Sequence, residues 1–120
     1  MSPKPKTPKK PAQEDPSEII ARHASFCSIF ADEKRLRIMW LLREGERTVS
    51  EIAEHLGVSA QNISQHLRLM RDRNALATRR EGQFIYYRIS NQKFVEGAAL
   101  IRQGVVEELN RMGNQSDDDT

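Results

Sequence analysis

The sequence lacks the features that most enzymes, secreted proteins and membrane proteins carry. Its 120 residues include one cysteine, so no disulfide can form within the chain, and this favours a reducing cytoplasm. No stretch approaches the ~20 apolar residues that cross a bilayer, and the first residues contain no apolar signal core. No glycine-rich phosphate loop, catalytic carboxylate pair or Ser/His/Asp arrangement is visible. We therefore predict a cytoplasmic protein that is not an enzyme.

Size and charge indicate one small domain between two polar ends. Residues 1–16 combine proline with four lysines, and residues 114–120 contain three consecutive aspartates. Neither end has an apolar run, so we expect both to be disordered, with one domain at residues 17–113. The net charge is only +2. Residues 59–88, however, hold two acidic residues against six arginines, which predicts a basic, phosphate-binding face. These are Arg68, Arg71, Arg73, Arg79, Arg80 and Arg88.

Residues 48–73, TVSEIAEHLGVSAQNISQHLRLMRDR, predict two short helices joined by a tight turn. Ser50 is suited to cap the first helix, and Gly57 to end it in a left-handed conformation. Ser59 is suited to cap the second helix. Apolar side chains recur on one face of that second helix, at Ile63, Leu67 and Met70.

The opposite face of the second helix carries uncharged hydrogen-bonding side chains first and cations after them. Glutamine and asparagine can pair with adenine, arginine with guanine, and serine with either. An ordinary solvated helix would tolerate Lys and Glu there, so the pattern favours a helix-turn-helix whose recognition helix reads the major groove. The predicted base-reading residues are Gln61, Asn62, Ser64, Gln65 and Arg68.

Residues 77–80 and 83–89 alternate apolar and polar side chains at the period of a strand. With Glu81 and Gly82 as the turn, they predict a β-hairpin, which after a recognition helix forms a wing. Its arginines could serve solubility alone, but their place beside a tight turn favours contact with phosphates or the minor groove. Tyr86 and Tyr87 should point to opposite faces. The predicted phosphate and wing residues are Ser59, Arg71, Arg79, Arg80 and Gln83.

The terminal helices predict a dimer. One helix should run from Ser17 to about Phe30, another should follow an Asp32 cap, and the last should span residues 91–112. Its apolar stripe is wider than a monomer needs, so we expect a two-fold homodimer. Two recognition helices would then read a pseudo-palindrome in double-stranded DNA, with centres ~34 Å apart. The predicted interface residues are Ile20, Phe26, Cys27, Phe94, Ala98, Ile101, Val105 and Leu109.

His23 and Cys27 lie one turn apart on the first helix. Where two first helices meet, both residues from each chain could form a tetrahedral zinc site, an intersubunit disulfide or a modified thiol. The alternative is that Cys27 is a small apolar residue in the dimer core, with His23 at its edge. The apolar interpretation is the main one, and on it we predict no cofactor. The other interpretation predicts zinc or a modified thiol at Cys27.

Three segments, ADEKRLRIMWLL, EIAEHLGVSAQNISQHLRLMR and GQFIYYRIS, resemble the ArsR/SmtB family of winged-helix transcriptional repressors. The resemblance covers residues 19–112. It implies a mainly α winged helix-turn-helix with four helices, a β-hairpin and a fifth helix. It also implies a homodimer that represses from an operator and leaves it when an inducer binds.

The chain departs from this family at its inducer sites. Residues 48–51, where some members carry cysteines, read Thr-Val-Ser-Glu, and a paired-cysteine redox sensor needs a second thiol. The metal-binding positions of the final helix align with Asn91, Lys93, Gly104 and Glu107, where the lysine would repel a divalent cation. A small-molecule or redox inducer is therefore left open. The alternative functions are a winged-helix protein-interaction module and a thiol- or metal-responsive switch at Cys27 and His23.

Overall fold

Five helices and one β-hairpin form the part of the chain that the structure describes. The computed structural model describes residues 15–118, with side chains for residues 15–114. The elements are α1 Pro16–Ile29, α2 Glu33–Leu42, α3 Val49–Leu56, α4 Ala60–Asp72, β1 Leu76–Glu81, β2 Phe84–Ile89 and α5 Gln92–Asp118. This order confirms the predicted winged helix-turn-helix.

Most of the first predicted tail lies outside the described residues, whereas most of the second lies within them. Residues 1–14 and 119–120 lie outside it. Asp15 and Pro16, which were assigned to the first tail, begin α1: the Asp15 carboxylate accepts from the backbone N–H groups of Ser17 and Glu18. Proline suits this position because its fixed φ matches the helix. At the other end, the backbone of α5 continues to Asp118, into the segment predicted as an acidic tail.

The helix-turn-helix begins two residues earlier than predicted, because Thr48 and not Ser50 caps α3. The Thr48 hydroxyl accepts from the Glu51 N–H, and the Glu51 carboxylate accepts from the Thr48 N–H, which completes a capping box. Gly57 ends α3 at φ +70°, and the Ser59 hydroxyl caps α4 by accepting from the Asn62 N–H at 3.1 Å. Both of these predictions are confirmed.

The core lies between the first four helices and the hairpin. Ile63, Leu67 and Met70 are fully buried on the inner face of α4, as predicted. By contrast, α5 contributes only Val95 to the buried apolar side chains of the described chain. The largest fully buried side chains are Ile29, Ile38, Met39, Ile52, Ile63, Leu67 and Met70.

The hairpin is antiparallel, and its turn lies one residue later than predicted. Glu81 pairs with Phe84, so the connecting residues are Gly82 and Gln83, with Gly82 at φ +60°. A left-handed glycine at the first turn position is what a short hairpin requires. Tyr87 packs against the core, while Tyr86 lies on the opposite face, as the alternation predicted.

Candidate nucleic-acid interface

The outer face of α4 presents a row of uncharged polar side chains. Gln61, Ser64, Gln65 and Arg68 are all exposed, outside the buried face of the helix. Since the inner face is fixed in the core, the direction of these side chains is fixed by the fold. A helix of this kind can enter a major groove with its first two turns.

Asn62 is placed differently from the other predicted base-reading residues. It is half-buried, and its Oδ1 lies 3.5 Å from the Nζ of Lys34 on α2. Its backbone N–H is occupied by the Ser59 cap. Asn62 therefore lies at the edge of the outer face, toward α2.

Two of the predicted phosphate-binding arginines are exposed and have no acidic partner among the described side chains. Among residues 15–114, neither Arg71 at the end of α4 nor Arg80 on β1 forms an ion pair within the chain. Ser59 uses its hydroxyl oxygen to cap α4, which leaves the hydroxyl proton free to donate. Gln83 is exposed in the hairpin turn.

Arg79, another predicted phosphate ligand, is already held by two carboxylates. Its Nε donates to Glu46 Oε1 at 3.0 Å, and its Nη1 donates to Glu81 Oε2 at 2.7 Å. Hydrogen bonds from Arg79 hold the pKa of the Glu46 carboxyl below its usual value, and the same two carboxylates raise the pKa of the Arg79 guanidinium. A phosphate would have to compete with both of them for this cation.

Arg73 directs its charge toward α1 and away from the outer face of α4. Its Nη1 donates to the Ser25 carbonyl oxygen and to the Ser25 hydroxyl, both at 3.2 Å, and to the Ser28 hydroxyl at 3.3 Å. Arg73 is the residue that follows α4. The end of the predicted recognition helix is therefore attached to α1, a contact that the sequence analysis missed.

Arg35 makes a second attachment between α1, α2 and α4. Its Nε donates to the Ile29 carbonyl oxygen at 2.6 Å, and its Nη1 lies 3.5 Å from His66 Nδ1 on α4. Its backbone N–H donates to the Asp32 cap and keeps the pKa of that carboxyl low. No sequence motif marks this contact, because 31 positions separate Arg35 from His66.

The predicted dimer-interface residues form two groups. Phe26 and Phe94 stack on each other within one chain, with ring centroids 4.1 Å apart, and join α1 to α5. The apolar side chains beyond them are open to solvent, with Ile20 66%, Ile101 69% and Leu109 60% exposed. Val105 is also exposed, and Ala98 is half-buried. An exposed apolar stripe of this length marks an interaction surface.

A groove of about 700 Å³ lies between α1, α2 and α5, and both His23 and Cys27 line it. Both residues are exposed, so the thiol is not enclosed in the core of a single chain. Among the side chains of residues 15–114, no three His, Cys, Asp or Glu residues are grouped so that they could hold a metal ion. Nor is any helix within residues 15–118 long and apolar enough to span a bilayer.

The sequence profile described as "Bacterial regulatory protein, arsR family" matches residues 32–74, which include α2, α3 and α4. The chain is 39% identical over 77 residues to the HTH-type transcriptional regulator KmtR of Mycobacterium tuberculosis, a match that covers 64% of this chain and 59% of KmtR. It is 38% identical over 60 residues to the transcriptional repressor SdpR of Bacillus subtilis, covering 50% of this chain and 67% of SdpR. The matched region is thus about three fifths to two thirds of these relatives.

A solved structure shares the arrangement over most of the chain. The homodimeric winged helix-turn-helix DNA-binding domain Mb0332 from Mycobacterium bovis superposes with a TM-score of 0.74 at 27% identity. The match covers 88% of this chain and 95% of that domain. This match therefore covers a larger share of the chain than residues 32–74.

Proposed function

Because the chain belongs to the ArsR family of bacterial regulatory proteins, we propose that it is a sequence-specific DNA-binding transcriptional repressor that acts as a homodimer. The observation that carries this proposal is the outer face of α4. Its uncharged hydrogen-bonding side chains are exposed, while its inner face is fully buried. Such a helix is held rigidly and faces outward with the groups that recognise base edges.

Base recognition is assigned to the exposed residues of α4. Gln61 and Gln65 lie one turn apart, and each can form two hydrogen bonds with an adenine. Arg68, one turn further on, can pair with guanine, and Ser64 can bond to either kind of base. Asn62 is assigned to the edge of the groove, because it lies against Lys34.

Phosphate contacts are assigned to the residues that flank this face. Arg71 and Arg80 carry the charge, while Ser59 and Gln83 can donate neutral hydrogen bonds. These contacts fix the position of the protein on the duplex and carry no sequence information themselves.

Dimerisation is assigned to the exposed stripe of α5 together with α1. Two copies related by a two-fold axis would cover the apolar side chains of both chains, and their α4 helices would read successive major grooves ~34 Å apart. An inducer that favours a different arrangement of the two copies would release the DNA. We propose two kinds of inducer. One is zinc or a thiol-modifying oxidant that acts at His23 and Cys27, and the alternative is a small molecule.

The test of this function is selection of bound duplexes from random DNA by the purified protein, followed by titration of the recovered site at several salt concentrations. We expect an enriched pseudo-palindrome and an affinity that falls by orders of magnitude from about 50 to 200 mM salt. Gln61→Ala/Gln65→Ala, which keeps every arginine, is the matched control and should bind without enrichment. A wild-type protein that enriches no sequence, and whose binding is insensitive to salt, would instead be a protein-interaction module.

A further inference from the structure

Arg79 connects three separate segments of the chain. On β1 it is the cross-strand partner of Tyr86, and its guanidinium carbon lies 4.6 Å from the centroid of the Tyr86 ring. Beyond that ring it reaches Glu46, in the loop between α2 and α3, with Nε 3.0 and 3.3 Å from the two carboxylate oxygens. Glu81, two residues along β1, binds the remaining side of the guanidinium.

The loop that carries Glu46 is itself paired with the hairpin. Arg47 and Tyr87 exchange backbone hydrogen bonds of 3.0 and 2.8 Å, so the loop lies beside β2. The Arg79 side chain therefore crosses β2 and joins the outer strand of the hairpin to this loop. A two-stranded hairpin is marginally stable alone, so attachments of this kind determine where it sits.

Because successive side chains of a strand point to opposite faces, Arg79 and its neighbour Arg80 lie on different faces of β1. Arg79 and Glu81 lie on one face of β1, while Arg80 lies on the other and is exposed. Arg79 is also only 43% exposed, and its Glu46 partner 33%. Of these two neighbouring arginines, Arg80 is therefore the one that is free to bind phosphate, because the charge of Arg79 is neutralised by its two carboxylates.

We propose that Arg79 and Glu46 form a latch that holds the wing at a fixed angle to the helix-turn-helix, and that Arg79 positions the wing without contacting phosphate. This inference rests on the proposed DNA-binding function. The latch sets where Arg80 and Gln83 meet the duplex. Arg79 is thus a positioning residue, and Glu46, although acidic and near the DNA-binding face, favours binding.

DNA titrations on the selected duplex test the latch, because the direction in which Glu46→Ala changes the DNA affinity distinguishes the latch from simple repulsion. Removing an acidic residue near DNA normally strengthens binding by reducing repulsion. We expect the opposite for Glu46→Ala, a loss of about three- to tenfold, with a similar loss for Arg79→Ala and no further loss in the double variant. Glu44→Ala, which removes the same charge from the neighbouring part of the chain, should not weaken binding.

The salt dependence separates positioning from phosphate contact. The slope of log affinity against log salt should be unchanged in Arg79→Ala and Glu46→Ala, but smaller by about 0.9 in Arg80→Ala. If Glu46→Ala binds more tightly than wild type, or Arg79→Ala loses about 0.9 of slope, Arg79 is a phosphate ligand and the latch is refuted.

Hydrogen exchange without DNA tests the latch independently of the DNA-binding function. Amides of the hairpin should exchange several-fold faster in Arg79→Ala and Glu46→Ala than in wild type or Arg80→Ala. Equal exchange in all four proteins would overturn the proposal. If the wild type selects no DNA, the proposed function fails, while this comparison still shows whether Arg79 and Glu46 hold the hairpin.

Discussion

At the level of single residues, Gln65 lies where a side chain can determine base choice without affecting the fold. Its side chain is exposed on α4 and makes no hydrogen bond with the residues whose side chains are described. We expect Gln65→Ala to reduce discrimination at one base position by ~1–3 kcal/mol, because a pair of hydrogen bonds to the base is lost. Titrations of duplexes substituted at each position would measure this.

Arg71→Ala is the matched control for Gln65→Ala. It removes an exposed cation from the same helix, and should weaken binding to every duplex by a similar factor and lower the salt slope by about 0.9. Equal losses on all duplexes in both variants would contradict the separation of base reading from phosphate binding.

Glu51 gives the protein a predictable response to acid. The backbone N–H of Thr48, and then its hydroxyl, lower the pKa of the Glu51 carboxyl from its usual 4.5. A carboxyl with a lowered pKa in the folded state stabilises the fold above pH 4.5, and this stabilisation is lost as pH falls through the folded pKa. Urea unfolding should therefore show wild type and Glu51→Gln converging in acid and differing most near neutral pH. A constant difference would contradict the capping role.

How far the sequence predicts single residues depends on how local their contacts are. The order T-V-S-E at residues 48–51 is a capping-box pattern, so the sequence contains the information that predicts the Thr48 cap, although our prediction was Ser50. The Arg79–Glu46 and Arg73–Ser25 contacts could not be predicted from the sequence, because 33 and 48 positions separate the partners. Long-range polar contacts leave no periodic pattern.

At the level of elements, α4 owes its position to its buried face. Leu67 is fully buried there, among side chains of several other elements. We expect Leu67→Ala to lower the free energy of unfolding by about 2–5 kcal/mol, through lost burial and the cavity left behind. Chemical denaturation would measure this, with Arg68→Ala, the exposed neighbour, as the control. Similar stabilities for the two variants would show that α4 is not part of the core.

Helices and strands were predictable because their apolar periods differ. The spacing of Ile63, Leu67 and Met70 identified α4, and alternation identified the hairpin. The turn was displaced by one residue, since the sequence does not show which turn position Gly82 occupies. The Arg47–Tyr87 pairing could not be predicted, because the loop that makes it has no strand pattern.

At the level of the whole molecule, assembly should depend on the exposed stripe of α5. Ile101 is 69% exposed in one chain, so a charge there costs the monomer little. In a dimer that buries it, Ile101→Glu should weaken association at least about thirtyfold, since hot-spot changes cost ≥ 2 kcal/mol. Analytical ultracentrifugation would measure this. Gln103→Glu adds the same charge to the same helix and should stay dimeric; dissociation of both variants alike would point to charge alone.

The small share of α5 in the core of its own chain has a consequence for thermal unfolding. Among the described side chains of α5, which has 27 residues, Val95 alone is buried, so the helix draws little support from its own chain. In the proposed dimer the second copy covers the exposed apolar side chains of α5, and association favours the folded state by mass action. The melting temperature should therefore rise when the protein is concentrated and fall when it is diluted, which scanning calorimetry at two concentrations would show. An independently folded monomer would melt at the same temperature in both.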